Sequence, residues 1–154
     1  MPRSTKSAGR FDGLGVAARR AELSGQVDAA ALARVADLLS AEGGDSRIDW
    51  RITGSADAGG RPALEVSLRG AVPLTCQRCL RPFRWPVEQT TLLLLARDER
   101  ELARLDGEDH EHEVILAAKP LDAVELVEDE LLLTLPFVPR CPESGCPAAG
   151  QAQR

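Results

Sequence analysis

Between residues 48 and 72 the chain alternates apolar and polar side chains in two runs separated by a turn, and this limits the fold more than any other feature. Ile48, Trp50 and Ile52 fall on one side of an extended segment and Asp49, Arg51 and Thr53 on the other. That period of two belongs to a half-buried strand. Asp57-Ala58-Gly59-Gly60 comes next, and glycine accepts the positive φ that tight hairpin turns demand. Ala63 to Val72 is the return strand, with Leu64, Val66 and Leu68 facing in and Glu65, Ser67 and Arg69 facing out. The hairpin runs directly into Cys76-Gln77-Arg78-Cys79, a turn bounded by Pro73 and Pro82.

Around this hairpin the pattern predicts a few further elements. Residues 1–21 are small, polar and basic, and read as a flexible N-terminal segment. Glu22 to Val27 suits a short strand. Asp28 is placed to cap a helix carrying Ala30, Leu32, Ala33, Val35, Ala36, Leu38 and Leu39, which Gly43-Gly44 ends. Trp85 to Ala96 reads as a strand that becomes more buried along its length. Asp98 to His112 is charged and predicts a short helical turn and then a loop, with Glu113 to Ala117 as a further strand. Leu121 to Leu135 predicts a second helix, its stripe being Leu121, Val124, Val127, Leu131 and Leu135. Pro120 suits its first turn and Pro136 forces its stop. Residues 147–154, rich in Ala, Gly and Gln, read as a disordered tail. The expected architecture is one α+β domain over residues 22–146. It is an antiparallel β-meander or partly open barrel flanked by two helices, with two cysteine turns at one end.

Charge and composition narrow what such a domain can do. The chain has 154 residues, a formal charge of -5 and 3% aromatics with no Tyr. Stacking on many bases is therefore not available to it, nor is global attraction to a polyanion. Locally the balance differs. Arg61, Arg69, Arg78, Arg81 and Arg84 face only Glu65 between residues 61 and 84, whereas residues 98–130 are strongly acidic. These segments read either as two ordinary solvated faces or as an arginine-bearing surface beside the cysteines, with Arg69, Arg78, Arg81 and Arg84 meeting RNA phosphate or a partner. Glu128, Asp129 and Glu130 interrupt the second helix as a solvated or partner-facing acidic stripe, a better reading than paired catalytic carboxylates.

Residues 1–24 hold no apolar run long enough for an export signal, and no segment approaches the ~20 apolar residues of a membrane helix. The expected compartment is the reducing cytoplasm, where cysteines read as metal ligands or free thiols before disulfides. Cys76-x-x-Cys79 and Cys141-x4-Cys146 have 61 residues between them. Each close pair can span two corners of a tetrahedral zinc site. Pro and Gly bound both turns, with Pro139, Pro142, Gly145 and Pro147 around the second. One structural zinc ion, free thiols, and a redox pair all remain open on spacing alone. The redox reading lacks a helix N-terminus to acidify the first thiol, because Leu80-Arg81-Pro82-Phe83 does not begin a helix. The gap between the pairs is long for a compact zinc finger, and the glycine that often comes after a zinc-binding turn is absent. His110 and His112, in an acidic loop, form no recognised metal pattern. A Ser-His-Asp arrangement, a phosphate-binding glycine loop and a dinucleotide fingerprint are missing.

Three stretches in this order resemble the YceD family, named for accumulation of the large ribosomal RNA subunit. They are Glu22-Leu23-Ser24-Gly25, then Leu74-Thr75-Cys76-Gln77-Arg78-Cys79-Leu80-Arg81-Pro82-Phe83, then Leu126 to Pro139 with its Leu-Pro-Phe-Val-Pro ending. The resemblance spans about residues 21–146. It implies a bacterial, non-enzymatic ribosome biogenesis factor for synthesis, processing or accumulation of 23S ribosomal RNA. The implied partners are a ribosomal RNA precursor or a large-subunit ribosomal protein, with no membrane and no small-molecule substrate. The cysteines leave two alternatives: a thiol-disulfide oxidoreductase using Cys76 and Cys79, and a zinc-stabilised protein-binding adaptor. The family usually carries a His shortly after the last Val-Pro. Here Cys141 stands in that place and keeps the capacity to bind zinc. The family's apolar Phe-Leu continuation has no counterpart in Gln151-Ala152-Gln153-Arg154.

Overall fold

The computed structural model describes residues 9–108, 111–142 and 146. Its elements are β1 (Arg10–Phe11), α1 (Gly13–Arg19), β2 (Glu22–Asp28), a 3-10 turn (Ala29–Ala31), α2 (Ala33–Ala36), β3 (Arg47–Ala56), β4 (Pro62–Thr75), β5 (Pro82–Ala96), α3 (Glu99–Glu108), β6 (Glu113–Leu116), β7 (Leu121–Asp122) and α4 (Ala123–Thr134). The fold is α+β. An open five-stranded sheet has the order β2-β3-β4-β5-β6, and β1 pairs with β7 in a separate two-stranded ribbon. The sheet does not close into a barrel; β2 and β6 are its edges.

The expected hairpin is present, with Trp50 opposite Leu68 and Ile52 opposite Val66. The β4–β5 ladder continues until Thr75 faces Pro82, so the cysteine turn is the tip of a second, longer hairpin. The inward face of β3 to β5 packs under Val35 of α2, Val127 and Leu131 of α4, and Val16 and Ala17 of α1. Each fully buried Leu or Ile in such a core contributes about 1.5–3 kcal/mol. On the opposite face, Leu105 of α3 covers Ala63, Leu94, Ala96 and Val114 in a smaller second core.

Four differences from the sequence pattern have physical causes. Residues 10–19, assigned by composition to a flexible segment, form β1 and α1. The helix seats against β3 at Gly54, where a Cβ would lie 2.0 Å from the Val16 carbonyl oxygen. The predicted helix after Asp28 is broken. Asp28 does cap, accepting from the Ala30 N–H at 3.0 Å, but Leu32 is extended (φ -93, ψ 116) and separates a 3-10 turn from the four-residue α2. Tertiary bonds outweigh helical propensity here: Glu128 of α4 accepts the Arg34 N–H at 2.8 Å, and the Ser40 N–H donates to the Pro73 carbonyl at 2.9 Å.

The charged stretch after β5 is a ten-residue helix rather than a single turn. Asp98 accepts the Glu101 N–H at 2.8 Å and Glu101 accepts the Arg97 N–H at 2.7 Å, a reciprocal cap. Because α3 makes a helical crossover, β6 returns parallel to β5, so the sheet is mixed and the meander stops at β5. In α4, Asp122 caps through the N–H groups of Val124 and Glu125, and Pro136 lies just past its end. Among the described residues no helix is long and apolar enough to cross a membrane. The expected tail, residues 147–154, lies outside the described residues.

Candidate metal centre and its surroundings

The tip of the β4–β5 hairpin is held by its own main chain. The Cys76 N–H donates to the Arg81 carbonyl at 3.0 Å and the Leu80 N–H to the Cys76 carbonyl at 2.8 Å. The Arg78 N–H points at the Cys76 sulfur at 3.4 Å. Leu80 is left-handed at φ 61, occupying with a side chain the place where the absent glycine would have been free of strain. The segment leaving α4 is drawn onto this tip twice. Gln77 N–H donates to the Pro139 carbonyl at 2.9 Å, and Arg78 Nη2 to the Cys141 carbonyl at 2.9 Å.

These bonds bring the two cysteine pairs together. Cys76 Sγ lies 3.9 Å from Cys146 Sγ and Cys79 Sγ lies 3.8 Å from Cys141 Sγ. All four sulfurs fall within 4.8 Å of one another. A tetrahedral ion with metal–sulfur bonds of about 2.3 Å needs sulfur–sulfur edges of about 3.8 Å, and the Cys76–Cys146 and Cys79–Cys141 edges have that length. The thiols are free, and Cys76, Cys141 and Cys146 are buried beside Phe83. Burial alone would raise the Cys76 thiol, but N–H groups of Cys141, Cys79 and Arg78 directed at it hold it down to about 5. Burial, and then the neighbouring sulfurs of Cys146, Cys76 and Cys79, push Cys141 up to about 12. Four thiolates this close would repel one another, which, added to burial, is why Cys141 holds its proton, and a divalent cation at their centre would remove that conflict. A closed set of four soft ligands suits a structural zinc ion.

The other predicted site residues do not converge in this way. Arg69 forms an exposed ion pair with Glu88 at 3.1 Å on the outer sheet face. Arg78 is half-buried and fastens Cys141. Arg84 donates to the Gly43 carbonyl at 3.1 Å and the Ala71 carbonyl at 3.4 Å. Arg81 is exposed on the cysteine turn, in no ion pair among the described residues. The acidic stripe of α4 is corrected more sharply. Glu130 is only 2% exposed, and Glu128 and Asp129 are occupied by Arg34, whose Nη2 reaches them at 3.2 and 2.6 Å. Glu128 and Asp129 tie α4 to α2, with Asp129 remaining half exposed; Glu130 alone is withdrawn from the surface. Among the described residues His112 joins no metal-binding group, and His110 lies outside them.

Sequence reasoning missed one surface. Phe137 and Val138, bracketed by Pro136 and Pro139, are exposed together with Leu38, Leu80 and Leu133. The signal was present: two prolines stop Phe137 and Val138 from continuing the buried stripe of α4.

A model for the large ribosomal RNA subunit accumulation protein YceD matches residues 64–154. That is more than half the chain, and it takes in all four cysteines. The chain belongs to the YceD family. The YceD match begins inside β4, so β2 with its Glu22-Leu23-Ser24-Gly25 stretch lies before it. The YceD description ties the family to accumulation of large-subunit ribosomal RNA. No curated protein and no solved structure matches the chain.

Proposed function

We propose that this protein is a non-catalytic binding factor for accumulation of 23S ribosomal RNA, with one zinc ion held by Cys76, Cys79, Cys141 and Cys146 as a structural clamp. The observation that carries this is the convergence of four thiols from the hairpin tip and the post-helix segment in a chain of this family. Four protein ligands leave no open position for a substrate, so the ion supplies rigidity rather than chemistry. Thiol-disulfide exchange is disfavoured because it requires an accessible attacking thiolate, whereas Cys76 is fully buried. Of the four candidate arginines, Arg81 is the one whose side chain takes no part in holding the fold among the described residues. Its charge reversal is therefore the clean test of contact with RNA phosphate, separating an RNA-touching factor from a purely protein-binding adaptor.

The test is sedimentation of a cell extract on a sucrose gradient, with 23S and 16S RNA measured after deletion of the gene. The protein is expected to migrate with immature large subunits, and deletion to lower 23S relative to 16S. A protein that stays at the top of the gradient, with an unchanged RNA ratio in the deletion strain, removes the reading. Elemental analysis of untagged protein should give about one zinc per chain. Metal-free protein with four reactive thiols removes the clamp.

A further inference from the structure

The five exposed large apolar side chains among the described residues are not scattered. Leu38, Leu80, Leu133, Phe137 and Val138 all belong to three segments, namely the end of α2, the cysteine turn, and the end of α4 together with residues 135–139. Residues 37–39, 77 and 135–139 of those segments, with Leu74 and Thr75 at the end of β4, line one groove of about 430 Å³, a size that accepts one or two large side chains. Of the five, Leu38, Phe137 and Val138 line the groove itself; singly exposed leucines need no explanation, but exposed apolar side chains gathered at one concavity mark an interaction surface. The cysteine turn borders this groove. Gln77 lines it and holds the Pro139 carbonyl, and Cys141 anchors the wall two residues further on.

The charge of the groove selects among occupants. Its one charged lining residue is Asp37, on a chain of formal charge -5. A second copy would bring Asp37 and a like net charge against themselves, and RNA would meet an acid with a single aromatic ring. Residues 1–8, 109, 110, 143–145 and 147–154 contain no large apolar side chain except Met1. Resting on the function proposed above, we propose that the groove docks a basic segment of a protein partner. That segment inserts one or two large apolar side chains between Leu38 and Phe137 while its cations lie toward Asp37.

The experiment places a photo-cross-linking benzoylphenylalanine at position 137 of the full chain in cells, with the same group at position 90 on the outer sheet face as control. The cross-linked peptide is identified by mass spectrometry, synthesised, and titrated against the purified protein. The expected result is a cross-link from position 137 alone to a Lys- or Arg-rich segment bearing a large apolar residue. Its affinity should fall by about tenfold or more in Phe137→Ala and in Asp37→Lys. Cross-linking to RNA, to a second copy or to nothing, or affinity unmoved by either substitution, overturns the docking proposal. Co-sedimentation with large subunits in that event leaves the ribosomal role standing. A basic partner bound by a protein that never co-sediments would remove the ribosomal role and keep the groove.

Discussion

The main-chain N–H of Gln77 donates to the carbonyl of Pro139 at 2.9 Å, one residue after Cys76 on one strand of chain and two residues before Cys141 on the other. This bond couples the tip of a long hairpin to the segment that leaves the last helix. The four thiols converge because the main chains on which they sit are already joined.

Replacing one ligand should therefore loosen the join without dissolving the sheet. Cys141→Ser is expected to abolish zinc in elemental analysis and to lower Tm by roughly 10 °C, about 3 kcal/mol for a domain of this size. Trp85, whose Nε1 donates to the Thr134 carbonyl at 3.3 Å, should report the loosening as a fluorescence change. Strand content by far-ultraviolet circular dichroism should persist. Unchanged zinc content in this variant would show that Cys141 is not a ligand.

Leu80→Gly should stabilise the protein. Leu80 is left-handed at φ 61 and 71% exposed, so the substitution relieves about 1 kcal/mol of backbone strain and removes little buried surface. Urea denaturation should place its midpoint above that of the parent, and Leu80→Val below it. The reverse order would mean that the side chain of Leu80 matters more than its φ.

Gly54→Ala tests the seating of α1. A Cβ there meets the main chain of Val16 and Ala17, and neither carbonyl nor Cα can swing aside as a side-chain tip could. A loss of about 3 kcal/mol or more is expected, with hydrogen exchange of residues 13–19 accelerated first. A variant as stable as the parent would show that α1 is not pressed onto β3.

Glu130 sets a pH dependence. Burial raises its pKa above 4.5, the charges of Glu113 and Asp129 add to the rise, and a hydrogen bond from Thr91 partly opposes it. A carboxyl with a raised folded-state pKa binds its proton more tightly in the native protein. This contribution to stability is full below 4.5, falls as pH climbs through the raised value, and is gone above it. Glu130→Gln should remove this slope and be more stable than the parent on the high-pH side. Denaturant midpoints measured from acid to neutral pH would decide it; parallel curves for the two proteins would sink the idea.

The core hairpin was legible because Ile48, Trp50 and Ile52 keep a strict period of two, and the cysteine pairs were legible as half-sites from spacing. What escaped was non-local. The helix at residues 13–19 has a short apolar set, and its place is decided by a close approach to Gly54 of β3, which no period in the sequence records. The parallel pairing of β6 depends on the crossover through α3, although Asp98 and Glu101 carried the signature of a helix start. Glu130 lies three residues after Val127 and four after Leu126, on the buried face by helical spacing. Its charge hid that position, and the same masking made a clamp onto Arg34 look like a free acidic surface.

The long separation between Cys79 and Cys141 has a consequence for the order in which the molecule is made. The strands β2 to β5 pair with their sequence neighbours and can assemble as the chain emerges during synthesis, since local pairings carry the smallest loop-closure entropy. Cys76 and Cys79 are then presented on a finished hairpin tip before Cys141 and Cys146 have been translated. The four-thiol cluster is therefore the last part of the molecule to be completed, and the Pro136 to Pro139 wall of the groove is translated just ahead of it.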